Sequence, residues 1–134
     1  MRARPPVEAF PDRGRPAGGP DGETVMKAGI IRCRETEDIC PGTADFLAAA
    51  KGTGAFRKTG PVEIVGYVTC GGCPGKRAVP RALELAARGA GIVALASCMS
   101  KGNPIRFPCP HFEAIRKAVA RALPDGVRIL DWTH

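Results

Sequence analysis

The apolar run Val62 to Thr69 leads straight into Cys70-Gly71-Gly72-Cys73-Pro74-Gly75, and an amphipathic run from Arg77 to Arg88 follows. A buried strand, a glycine turn and a helix in that order place the two thiols at the carboxyl edge of a sheet, where open α/β folds hold their ligands. Glycines between the thiols let the backbone turn through positive φ and bring both sulfurs to one side. Backbone N–H groups ahead of the helix, with Lys76 and Arg77 nearby, favour a thiolate there. Such a turn presents two reactive or ligating sulfurs together.

The rest of the chain supplies the other units. Lys27 to Arg32 reads as a first strand, and Thr43, an N-cap candidate after Pro41-Gly42, opens a helix to Lys51 with Gly52 as its stop. The second strand is Val62 to Thr69. In the second helix Val79, Ala82, Leu83 and Ala86 follow i, i+3, i+4, i+7 spacing, and Gly89 ends it. Pro80 lacks an N–H and belongs in the first turn. Ile92 to Ser97 is the third strand. A loop held extended by Pro104, Pro108 and Pro110 leads to a third helix with Phe112, Ile115, Val119 and Ala122 on one face. Pro124-Asp125-Gly126 then turns into a fourth strand, Val127 to Asp131. The expectation is an α/β fold: a small open parallel sheet of about four strands with alternating helices and right-handed crossovers.

Parallel strands put all their carboxyl ends on one edge. Cys33 ends strand one, Cys70 and Cys73 follow strand two, Cys98 follows strand three, and strand four runs out into Thr133-His134. Cys40 precedes the first helix, and Cys109 and His111 precede the third. Taken singly, a cysteine after a strand is an ordinary small buried hydrophobe, and a terminal histidine is an ordinary frayed end. Jointly, six thiols and two imidazoles converge on one rim, which predicts a ligand or redox cluster of Cys33, Cys40, Cys70, Cys73, Cys98, Cys109, His111 and His134.

Residues 1–25 differ from the remainder. They hold five prolines, four glycines, and four arginines against four acidic residues, with almost no apolar periodicity. Such a segment buries too little surface to offset its ordering entropy. It is expected to be a disordered extension to a single domain over residues 26–134, with Met26 a candidate initiator. No basic-then-apolar leader opens the chain and no apolar run is long enough to span a bilayer, so cytoplasm is the expected compartment. Six cysteines in that setting are expected as reduced thiols rather than a disulfide framework. The net charge of +7 comes with few aromatics (5%) and no nucleic-acid recognition motif. A basic rim suits a small anionic substrate instead.

The motif Cys70-Gly71-Gly72-Cys73-Pro74-Gly75 resembles that of the CGGC-domain family of small bacterial and archaeal proteins. So do Gly29-Ile30-Ile31-Arg32-Cys33, Thr36-Glu37-Asp38-Ile39-Cys40-Pro41-Gly42, Ala96-Ser97-Cys98, Phe107-Pro108-Cys109-Pro110-His111 and the ending Thr133-His134. The resemblance spans Met26 to His134. It implies metal binding, with zinc suggested by the cysteines and histidines, and carries that role to the eight residues named above; it implies no particular reaction. Pro80 departs from the ordinary helix of related chains.

Three chemistries compete for the cluster. Zinc takes four thiolate or imidazole ligands in a tetrahedron, and eight candidates leave room for two sites, or for one site and a redox pair. An iron–sulfur cluster suits the cysteine count, although the spacing matches no ferredoxin run. Thiol–disulfide exchange would use either Cys70 or Cys73 as the attacking thiolate and the other as the resolving thiol. A cysteine-nucleophile phosphatase or arsenate-reductase loop needs an arginine six positions after the cysteine, and from Cys70 that position is Lys76. An ATP-binding P-loop is excluded, because Cys70 stands where its first glycine belongs and Arg77 where its Ser or Thr belongs.

Overall fold

A computed structural model describes residues 25–102 and 108–134. The expected disorder of residues 1–25, apart from Val25, and the expected extended stretch at Pro104 lie outside the described residues. Four strands form a wholly parallel sheet: β1 (Lys27–Arg32), β2 (Glu63–Thr69), β3 (Ile92–Leu95) and β4 (Arg128–Leu130), in the order β2-β1-β3-β4. Between them run helices α1 (Thr43–Lys51), α2 (Ala78–Ala87), the short α3 (Ser97–Ser100) and α4 (Phe112–Ala122). The expected α/β architecture is therefore the observed one.

The order has a consequence for ligands. The chain steps from β1 out to β2, then returns past β1 to β3 and continues to β4. Right-handed crossovers in opposite directions place their helices on opposite faces of the sheet, and α2 packs over β1, β2 and β3 beside α4 while α1 packs on β2. The two directions diverge between the carboxyl ends of β1 and β3, the position where such sheets hold their ligands. Because β1 and β3 are covered on both faces, they are buried along nearly their whole length and read as continuous apolar runs rather than alternating ones.

One face is shaped by two glycines. The β1–β2 register slips between Ala28 and Gly29, so that Ala28 pairs with Ile64 but Gly29 pairs with Gly66, leaving Val65 as a bulge. Leu85 of α2 fills the resulting hollow: a Cβ placed on Gly29 would stand 2.7 Å from its methyl carbons. This corrects the expected face of α2. Ala78, Ala82 and Leu85 are buried, while Leu83, expected to be inward, is 41% exposed. Pro80 does sit in the first turn, where its missing N–H costs no helical bond.

Several boundaries also differ from expectation: β2 begins at Glu63 rather than Val62, and β4 runs Arg128–Leu130 rather than Val127 to Asp131. Gly42, not Thr43, is the N-cap of α1; it lies at φ 89, with Tyr67 packed where any side chain there would stand. Strand β3 stops at Leu95, because the N–H of Ser97 goes to the Thr133 hydroxyl (3.2 Å) instead of a ladder partner. Cys98 consequently lies in the turn of α3 rather than at a strand end. No helix among the described residues is long and apolar enough to cross a membrane.

Candidate metal centre at the carboxyl edge

Backbone hydrogen bonds draw the cysteines together. The N–H of Cys70 donates to Arg32 O (2.8 Å), extending the β1–β2 ladder by one rung and setting Cys70 beside Cys33. The N–H of Cys33 donates to Cys98 Sγ (3.2 Å), which ties the two sides of the switch point directly. The N–H of Cys109 donates to Met99 O (2.9 Å), anchoring the segment before α4 against α3. Thr36 closes the floor: its hydroxyl donates to Cys33 O (3.0 Å) and accepts from Arg32 Nη2 (2.6 Å). All six cysteines are free thiols.

The electrostatics follow from this crowding. Burial pushes the Cys33 thiol above its ordinary range, opposed by the N–H groups of Glu35 and Thr36, with Cys70 and Cys73 adding to the rise. Burial likewise raises Cys109, opposed by the His111 N–H, with Cys33, Cys70 and Cys73 adding. Cys98 is raised by its burial and opposed by the Cys33 N–H and Thr36. Cys33, Cys70, Cys73 and Cys109 come from three separate loops at this edge of the sheet. Cys70 is 4% exposed and Cys73 lies at the surface.

A second group gathers around Asp45, which the sequence reading did not single out. Its carboxylate, 3% exposed, accepts from the Tyr67 hydroxyl (3.1 Å) and the Thr133 hydroxyl and faces His134 Nε2 at 3.5 Å. Burial, followed by the charge of Asp45, raises the Tyr67 phenol well above its ordinary value. Ser97 Oγ accepts from the N–H groups of Thr133 (3.1 Å) and His134 (3.0 Å). His134 therefore reaches the same edge as the thiols, lining a small pocket of about 230 Å³ with Cys40, Cys98 and Asp45. His111 enters through its backbone, its N–H donating to Cys109 Sγ (3.4 Å). An acidic residue in the first turn of a helix reads from sequence as an exposed partner of the helix dipole, and Asp45 gave no other signal.

The CGGC domain family matches residues 27–134. This chain belongs to that family. An uncharacterized protein of Methanocaldococcus jannaschii is 39% identical to it over 117 residues, covering 81% of this chain and 87% of that protein. No solved structure matches the chain significantly. Within this CGGC domain the glycines of the motif have distinct tasks. Gly71 and Gly72 lie at φ 85 and 103, a conformation L side chains rarely adopt. A Cβ on Gly71 would stand 2.6 Å from Arg77 Cβ, and one on Gly72 would stand 3.2 Å from Arg34 Nη1.

The donor set can be tested against a metal by its chemistry. An all-sulfur group suits a soft cation such as zinc or the iron of a cluster. Among the described residues, no group of three or more Cys, His, Asp or Glu is arranged to hold a metal ion. The loops bring cysteines from several elements to one edge of the sheet.

Proposed function

We propose that this CGGC domain binds a thiophilic metal ion, zinc before iron, through Cys33, Cys70, Cys73 and Cys109, and that the site is structural. The observation that supports this is the backbone placement of these four residues, from three loops, at the switch edge of a parallel sheet. Partial burial holds the Cys33 and Cys109 thiols toward their neutral form, and a bound divalent ion would reverse that balance in favour of thiolate. Four thiolates leave zinc no open position, so the ion would supply folding free energy rather than an activated water. Cys98 would support the cluster through its bond to the Cys33 N–H. Cys40 and His134, with Asp45, are the remaining candidate ligands. Free thiols throughout suit a reducing compartment such as the cytoplasm.

Elemental analysis of protein purified without oxygen tests the reading. It should find about one equivalent of metal, and the Cys70→Ser, Cys73→Ser double variant should lose it together with stability. Full metal content in that variant would put the site elsewhere or remove it.

The unequal exposure of Cys70 and Cys73 favours one second reading, thiol–disulfide exchange. The surface thiolate of Cys73 would attack one sulfur of a substrate disulfide and expel the other as thiolate. Cys70 would then attack Cys73 Sγ, expel the second substrate thiolate and leave a Cys70–Cys73 disulfide, so that two electrons pass to the substrate. Metal-free protein that forms no such disulfide with a small disulfide reagent rules this out.

A further inference from the structure

Beside the thiol cluster, a cleft of about 570 Å³ is walled by Arg34, Arg77 and Arg81, with Gly71, Cys73 and Glu37 completing it. Its volume is that of an ordinary small-molecule site. The lining holds three arginines and one glutamate, an excess of two positive charges. Among the described residues none of the three arginines forms an ion pair.

The arginines come from separate places, and two of them depend on the glycines of the motif. Arg34 lies in the turn after β1 and Arg77 immediately before α2, while Arg81 is in the first turns of α2. Arg81 Nη1 donates to Thr69 O (3.1 Å) and Thr69 Oγ1 (2.9 Å), which fixes the guanidinium plane at the end of β2. The stem of Arg77 occupies the space over Gly71, and Nη1 of Arg34 lies against Gly72. Positive φ alone explains glycine at these two positions, but not the arginines seated where their side chains would stand. Holding a metal requires the thiols of this turn and has no evident need of three guanidinium groups without an ion pair among the described residues.

We propose that this cleft binds a phosphate group, as free phosphate or as a small phosphomonoester, beside the Cys73 thiol. Guanidinium forks match phosphate oxygens in pairs, and a dianion matches the local excess of two charges. The mouth admits more than the anion itself, so an ester's organic part has room.

Isothermal titration calorimetry on the full chain tests this with inorganic phosphate, glycerol phosphate and succinate, each against sodium chloride of equal ionic strength. A saturable one-to-one heat with either phosphate is expected. Tighter binding of the ester supports an organic ligand, and equal affinity supports free phosphate. Arg34→Gln and Arg77→Gln should each weaken binding about tenfold or more, the loss expected for one charge-assisted contact, with melting temperature and metal content unchanged. Arg77→Lys should recover only part, because lysine keeps the charge but not the fork. Absence of saturable heat with both phosphates overturns the proposal, as does equal affinity in the Arg34→Gln, Arg77→Gln double variant or tighter binding of succinate. Metal content is read independently, so loss of the metal reading leaves this result interpretable.

Discussion

Replacing each glycine of the central turn by alanine should destabilise the protein unequally. Both residues lie at positive φ, and an L side chain held there costs about 1–2 kcal/mol. At Gly72 little is added, since the nearest neighbour is the end of the flexible Arg34 side chain at 3.2 Å. At Gly71 the neighbour is Arg77 Cβ at 2.6 Å, an atom fixed to the backbone that no rotamer can move. Overpacking of that kind costs about 1–3 kcal/mol more. Gly71→Ala should therefore lose about 2–5 kcal/mol and Gly72→Ala about 1–2 kcal/mol. For a domain near 100 residues each kcal/mol lowers the melting temperature by about 4–8 °C. Thermal unfolding followed by circular dichroism separates the two variants, and a cycle with Arg77→Gly isolates the clash. Equal losses, or no coupling between Gly71→Ala and Arg77→Gly, would show that Arg77 does not sit on Gly71 and that backbone conformation alone selects the glycines.

Leu85→Ala should cost about 2–5 kcal/mol by emptying the hollow over Gly29 and Gly66. Gly66→Ala should also destabilise, and less so in the Leu85→Ala background; denaturant titration of all three checks it. Tyr67 is the single tyrosine of the chain, and burial beside Asp45 raises its phenol. The unfolded chain ionises near pH 10, so this stabilising contribution is complete below that pH and is lost as pH rises above it. Tyrosinate absorbance should stay low in native protein above pH 10 and appear on unfolding; an ordinary titration in native protein would refute the Asp45 contact. Thr133→Val should cost about 1–3 kcal/mol by leaving Asp45 and Ser97 short of a buried partner, whereas Thr133→Ser should recover most of it.

The element order was legible because the strands are short runs rich in apolar residues, three of the four follow closely on a glycine or proline, and both central strands are buried on two faces. The gathering of cysteines followed from parallel strands sharing an edge, and His134 was placed there by the same logic. Side-chain geometry was not legible. Leu83 and Leu85 both look apolar in sequence, and only the bulge at Val65, which aligns Gly66 with Gly29, decides which one has a place to go. The end of β3 was misjudged because Ser97 yields its N–H to Thr133, more than thirty residues later. Asp45 was missed for a related reason: its partners Tyr67, Thr133 and His134 come from other parts of the chain. The seating of Arg34 and Arg77 over the turn is likewise a tertiary fact, although the two glycines that permit it are the most visible signal in the sequence.

The proposed site is defined by the atoms around its metal. X-ray absorption at the metal edge, on protein purified without oxygen, counts those neighbours directly. Four sulfur neighbours at about 2.3 Å are predicted for zinc, with the count falling in Cys109→Ser and unchanged in Cys40→Ser. A shell dominated by nitrogen or oxygen, or a sulfur count that drops in Cys40→Ser but not in Cys109→Ser, would contradict the assignment of Cys33, Cys70, Cys73 and Cys109.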